Sequence, residues 1–177
     1  MTAENAILAE SFDGFTWIRC EGKGSFLTSP ALKSFAEARV AAGERCIVID
    51  LGACTGMDST FMGTLAGLAA RLSAPGGKVQ IADVNERNRR SLEDLGLDFL
   101  LEIDPPVALW RGRVDEVRTG LRPLRDHGTP GQLERAKHVL EAHQVLSAAN
   151  PENAQKFAGV VNLLESEVAE KEDAEKR

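Results

Sequence analysis

Hydrophobic and polar positions change rhythm several times along the chain, and each rhythm predicts an element. Residues 7–12, ILAESF, and 15–22, FTWIRCEG, read as two strands joined at Asp13-Gly14, a dipeptide that signals a hairpin between apolar runs. In the second strand Phe15, Trp17 and Arg19 alternate with Thr16, Ile18 and Cys20, until Gly22-Lys23-Gly24-Ser25 breaks the pattern as a turn. Ser29-Pro30 places proline where a first helical turn accepts it. Leu32, Phe35, Ala36 and Val40 then form an inward helix face that stops near Gly43. Residues 46–51, CIVIDL, are a continuous apolar run of the kind found in strands covered on both faces, and GACTGM reads as the loop after it. From Thr60, Phe61, Leu65, Leu68 and Leu72 recur at helical spacing until Pro75-Gly76-Gly77. KVQIADV is the next strand. Asn85 then caps a helix that buries Leu92 and Leu95 and ends at Gly96, and DFLLEID is a last strand. The order β-β-α-β-α-β-α-β implies an α/β fold, with helices layered on a mixed sheet.

Pro105-Pro106 marks a boundary, giving a domain over 1–104, a connecting segment over 105–130 and a helical extension over 131–177. The connecting stretch is poorly patterned; it carries Trp110, five arginines and HGTPG, with Val114, Val117 and Leu121 at the spacing of one short helix. The extension reads as a helical hairpin. One helix gathers Leu133, Ala136, Val139, Leu140, His143 and Leu146 on one side, and the next, capped by Asn150-Pro151, gathers Phe157, Val160, Val161, Leu164 and Val168. Such stripes need a cover, either the α/β core or a second copy of the chain.

Composition narrows the function classes. The chain has 177 residues, a 43% hydrophobic share and a formal net charge of −6, with no basic face of the kind that duplex DNA or an anionic membrane attracts. Neither nucleic acid nor membrane is therefore expected as a partner. The start, MTAENAILAESFDG, has no basic segment ahead of an apolar one, which predicts a cytoplasmic protein. Cys20, Cys46 and Cys54 make no CxxC pair; the first two sit in strand-like runs, and Cys54 falls in the stretch read as a loop, where its thiol would be exposed.

The candidate chemistry centres on TGMDSTFMGTL, residues 55–65. A nucleophilic role for Ser59 is disfavoured, because neither GxSxG nor SxxK surrounds it and no histidine lies in the first 126 residues to act as its base. His127 lies in a Gly/Pro loop, and His138 and His143, five apart on different helix faces, have no carboxylate to complete a metal set. No catalytic residue, metal or cofactor is expected. Two readings of Ser59 stay open. As an N-cap, its hydroxyl would accept a bond from the first helical turn. As a substrate, it would take a phosphate at the positive end of a helix, adding roughly −1.5 to −2 charge beside Asp58 and repelling a docked partner.

The run CIVIDL-GACTGM-DST, then a helix with Gly63, PGG, KVQIADV and a helix ending Leu95-Gly96-Leu97-Asp98 resembles the STAS domain of bacterial anti-sigma factor antagonists, over roughly residues 5–104. The resemblance implies a STAS-like mixed sheet packed with helices, followed here by the C-terminal helical hairpin. It also implies phosphorylation-controlled partner switching, in which the unphosphorylated antagonist binds an anti-sigma factor that is also a serine kinase. That kinase uses ATP to modify the serine after the motif aspartate, and a metal-dependent serine phosphatase reverses the change. The acceptor would be Ser59, with Thr60 as the fallback, and Asp58, Ser59, Thr60, Phe61, Met62 and Ser25 would form the partner-binding edge. The chain departs from the family pattern in two places. Phe61 stands where glycine is usual and adds bulk at the proposed docking edge, and the loop at 22–25 lacks the acid often found there. Two rivals remain: a scaffold whose helical tail binds partners, with homodimerisation through the C-terminal helices, and a STAS variant handling a lipid or nucleotide, for which no phosphate loop or basic pocket is visible.

Overall fold

The computed structural model describes residues 5–125 and 130–177, so His127 lies outside the described residues. Strands β1 (Ala6–Phe12) and β2 (Phe15–Gly24) form the expected antiparallel hairpin, with Phe12 opposite Phe15. There follow α1 (Ser29–Ala41), β3 (Cys46–Met57), α2 (Ser59–Ser73), β4 (Lys78–Ala82), α3 (Glu86–Asp94) and β5 (Glu102–Ile103). The chain ends with α4 (Val114–Thr119), β6 (Arg122–Pro123), α5 (Gln132–Ala149) and α6 (Pro151–Glu175). The sheet order is β5-β4-β3-β2-β1-β6, with β2 to β5 mutually parallel and β1 antiparallel to both its neighbours.

Three expectations are corrected here. GACTGM is not a loop: β3 continues to Met57, still paired with β2, through register shifts at Arg19/Glu21 and Gly22/Lys23. Bulges of this kind carry glycine-rich sequence that lacks strand rhythm. The same pairing draws Gly22-Lys23-Gly24 into β2, so the turn begins only at Ser25. DFLLEID is not one strand: a 3₁₀ turn at Leu97–Phe99 takes its start, leaving a two-residue β5. Leu97 and Leu101 are buried while Phe99 is 90% exposed, a spacing of four that suits a helical turn and not a pleat.

CIVIDL is apolar on both faces up to Asp50 because the sheet is covered twice. Ile47, Ile49 and Leu51 face the core built with α1, α2 and α3, while Val48 faces a second cluster with Phe15, Trp17, Trp110 and Val117. The segment expected only to connect supplies that second layer. Trp110 packs edge-on against Trp17 with centroids 5.5 Å apart, and its Nε1–H donates to Gln80 Oε1 at 2.8 Å. Burying an indole removes roughly 200 Å² from water, which stabilises by several kcal/mol. Below it Asp50, wholly buried, accepts from Arg118 Nε and Nη2 at 2.9 and 3.0 Å, Arg19 Nη1 at 2.9 Å, Trp17 Nε1 at 3.1 Å and the Gly52 amide at 2.9 Å. Burial alone would raise this carboxyl; the Arg118 fork, the Gly52 amide and Arg19 outweigh it and hold the group below its ordinary range.

The hairpin expected at 131–177 forms, and the α/β core of the same chain covers α5. Gly63 on α2 comes so close to α5 that a Cβ there would overlap the Ala142 carbonyl. Asn150 caps α6 as expected, its Oδ1 accepting from Asn153 N at 2.8 Å, and Pro151 opens the first turn. Phe157 and Val168 are buried, but Val160, placed on the inward stripe by the sequence, is exposed together with Leu163.

Candidate functional site

The TGMDSTF segment lies where β3 ends and α2 begins. Asp58, extended and just outside the helix, is the N-cap: its Oδ1 accepts from Phe61 N at 2.8 Å. The capping role expected of Ser59 therefore belongs to its neighbour, because a cap residue must be non-helical and Ser59 is already the first residue of the helix. The second Asp58 oxygen accepts from Phe26 N at 2.9 Å, tying α2 to the loop before α1. In that loop Ser25 is buried; its Oγ accepts from Leu27 N at 3.2 Å, and its amide donates to Thr28 Oγ1 at 3.0 Å. One carboxylate thus fixes both loops of the predicted edge.

Freed from capping, the Ser59 hydroxyl is half-buried and lies 2.8 Å from His143 Nε2. His143 Nδ1 lies 2.7 Å from the Val139 carbonyl, which can only accept, so Nδ1 carries a proton; in the tautomer with its one proton there, Nε2 accepts from the serine O–H. The imidazole is 5% exposed and stacks edge-on against Phe157, centroids 5.4 Å apart. A second pair repeats the arrangement: Ser29, first residue of α1, has its Oγ 2.7 Å from His138 Nε2. The two histidines do occupy different faces of α5, and each face meets the first residue of a different core helix. Burial, reinforced by the Lys33 ammonium, holds His138 below the usual histidine range, although Glu141, Asp58 and Glu37 pull the other way.

The remaining edge residues are less accessible than expected. Thr60, the fallback acceptor, and Met62 are buried. Phe61 does not add bulk at the edge: its side chain is wholly buried, and its ring fills the space that a Cβ at Gly24 would need, 2.8 Å away. The aromatic ring is matched by the glycine across from it. Cys54 is likewise buried, its Sγ 3.3 Å from the Gly56 carbonyl, and is not an exposed loop thiol.

His143 is the site residue that sequence reasoning missed. Its signal was present, an imidazole in the apolar stripe of α5, but its partner lies 84 residues earlier. The pair gives Ser59 an acceptor of the kind a nucleophile uses, although the group that orients the ring is a backbone carbonyl, not a carboxylate. Among the described residues no three of His, Cys, Asp or Glu gather as a metal site, and no helix is long and apolar enough to cross a membrane.

A family model for the STAS domain matches residues 6–109. Among solved structures, an anti-sigma factor antagonist from Mycobacterium paratuberculosis is 27% identical, with a TM-score of 0.51 over 70% of this chain and 96% of its own. A protein from Thermotoga maritima described as an anti-sigma factor antagonist is 19% identical, with a TM-score of 0.52 over 62% and 92%. The Bacillus cell fate determinant SpoIIAA, in its phosphorylated form, is 18% identical, with a TM-score of 0.50 over 64% and 100%. A search of curated proteins found no match. The family model spans more than half of the sequence, and with it the segment that carries Asp58 and Ser59: the chain belongs to the STAS domain family.

Proposed function

We propose that this protein is an antagonist of anti-sigma factors that works by partner switching, with Ser59 as the phosphorylated residue. The observation that carries the reading is the position of Ser59. It is the first residue of α2, directly after the capping Asp58, in a domain whose relatives include anti-sigma factor antagonists, one of them solved in a phosphorylated form. At a helix N-terminus the unpaired amides favour an anionic group, while the added charge beside Asp58 would repel a partner docked there. The unphosphorylated chain would bind an anti-sigma factor that is itself a serine kinase, and a serine phosphatase would restore it. The test is incubation with that kinase and ATP, followed by mass spectrometry of the phosphosite. Absence of phosphate from both Ser59 and Thr60 sinks the switch. A Ser59→Ala chain should bind the partner constitutively and Ser59→Asp about tenfold or more weaker, the scale of one or two lost polar contacts; equal affinities count against the electrostatic account.

The scaffold reading keeps one supporting observation, the exposed Val160 and Leu163 on α6, the latter 70% accessible. If α6 pairs with a second copy or another protein, Val160→Glu with Leu163→Glu should abolish that association and leave binding through Ser59 intact. Sedimentation of both chains distinguishes the outcomes.

A further inference from the structure

We propose that the α5–α6 hairpin is an intramolecular lid on the switch edge, clasped through His143, and that phosphorylation of Ser59 requires the lid to lift. This rests on Ser59 being the acceptor. Three independent features of the interface point the same way. The reacting atom is already engaged, since Ser59 Oγ is held 2.8 Å from an imidazole that is itself 5% exposed. One turn further along α2, Gly63 admits α5 at backbone distance: a Cβ there would run into the carbonyl oxygen, carbonyl carbon and Cβ of Ala142. Leu146 and Phe157 join the main hydrophobic core, but on the side that faces α1 the contact is polar. His138 meets Ser29, Lys33 Nζ reaches Glu141 Oε2 at 2.7 Å, and a cleft between α1, α2 and α5 is lined by Glu37, Thr64 and Arg71 as well as Lys33 and Glu141.

A kinase must bring the γ-phosphoryl group of ATP in line with Ser59 Oγ. The Oγ–P bond forms as the bond from phosphorus to the β–γ bridging oxygen breaks; ADP leaves, and the hydroxyl proton passes to the kinase's base. The imidazole of His143 lies at hydrogen-bonding distance from Ser59 Oγ, so the closed lid and the incoming phosphoryl group compete for one place. The phosphoserine, with three oxygens and nearly two negative charges, cannot re-form the same contact. Closure and phosphorylation exclude each other. By linkage, a partner that docks on the edge favours the open lid, and a closed lid weakens that partner's binding by the same factor.

The lid is testable without a kinase. A Ser59→Cys substitution in the full chain offers a thiol to N-ethylmaleimide, and peptide mass spectrometry separates its adduct from those of Cys20, Cys46 and Cys54. Adding Gly63→Leu drives a side chain into Ala142 while improving the helix propensity of α2. The adduct at position 59 should then form about tenfold faster or more, the scale of an overpacked contact, with Cys20 and Cys54 no faster. Equal rates at position 59 overturn the lid. If Gly63→Leu speeds Cys20 and Cys54 as well, the core has opened, and His143→Ala in the Ser59→Cys background decides instead: a rate no faster than with His143 in place overturns the proposal. With kinase and ATP, Gly63→Leu in the otherwise native chain should be phosphorylated faster at Ser59, and equal rates overturn the gating role. If maleimide reports the lid but neither chain is ever phosphorylated at Ser59, the lid stands and the switch reading falls.

Discussion

Ser59, Phe61 and Asp50 each owe their role to a residue distant in sequence. Ser59 would read as a cap on its own; Asp58 takes the cap and leaves the hydroxyl to His143. Phe61 is tolerated because Gly24 lacks a side chain. Asp50 is the most heavily bonded of the three, a buried carboxylate that accepts from two arginines, an indole and an amide. Replacing it by alanine removes the charge that both guanidiniums face while their desolvation remains, a change that costs about 3–5 kcal/mol for a buried pair. Urea unfolding of Asp50→Ala should show a loss of that order; a loss below about 1 kcal/mol would mean that Asp83 and Glu21 suffice as partners for Arg118 and Arg19. Because the Asp50 carboxyl is held below its unfolded value of 3.8, its contribution is complete above that value and fades as pH falls through the folded one.

Elements were legible where rhythm and punctuation agreed. The β1–β2 hairpin, α1, α2, β4, α3 and the α5–α6 pair all carry a turn dipeptide, a proline or a cap at their ends, and the alternation within CIVIDL was hidden only because both sheet faces are covered. The missed elements lack such signals. The end of β3 is held by bulged pairing, β6 spans only two residues, and the layer over the second face depends on Trp110 meeting Trp17 across 93 positions of sequence. The join between hairpin and core was equally invisible, since it uses a carbonyl. Leu95 O, at the end of α3, accepts from Asn150 Nδ2 at 3.1 Å and Asn153 Nδ2 at 2.8 Å, filling a place that helix ends leave open. Asn150→Ala removes both the cap of α6 and one of these bonds, together about 2 kcal/mol. Hydrogen exchange should accelerate along α5 as well as in the first turn of α6. Acceleration confined to α6 would show that the turn does not anchor the hairpin.

For the molecule as a whole, the question is how firmly the extension is held against the STAS domain, and pH supplies the means to ask it. His138 meets Ser29 of α1 and faces Lys33 and Glu37 of α1, Asp58 at the cap of α2 and Glu141 of its own helix. Burial and then Lys33 hold it below the ordinary value of 6.5, so the docked hairpin binds fewer protons than the released one. Docking is therefore fully favoured above about pH 6.5 and weakens as pH falls towards the lowered value, because the released imidazole takes up the proton first. The wild-type chain should lose more stability between about pH 7.5 and about pH 5.5 than His138→Gln, whose amide can bond Ser29 without titrating. Thermal unfolding across that range measures both. Parallel losses in the two chains would remove His138 from the account and leave Ser59–His143, Gly63–Ala142, Lys33–Glu141, the Leu95 carbonyl and the buried Leu146 and Phe157 to hold the lid.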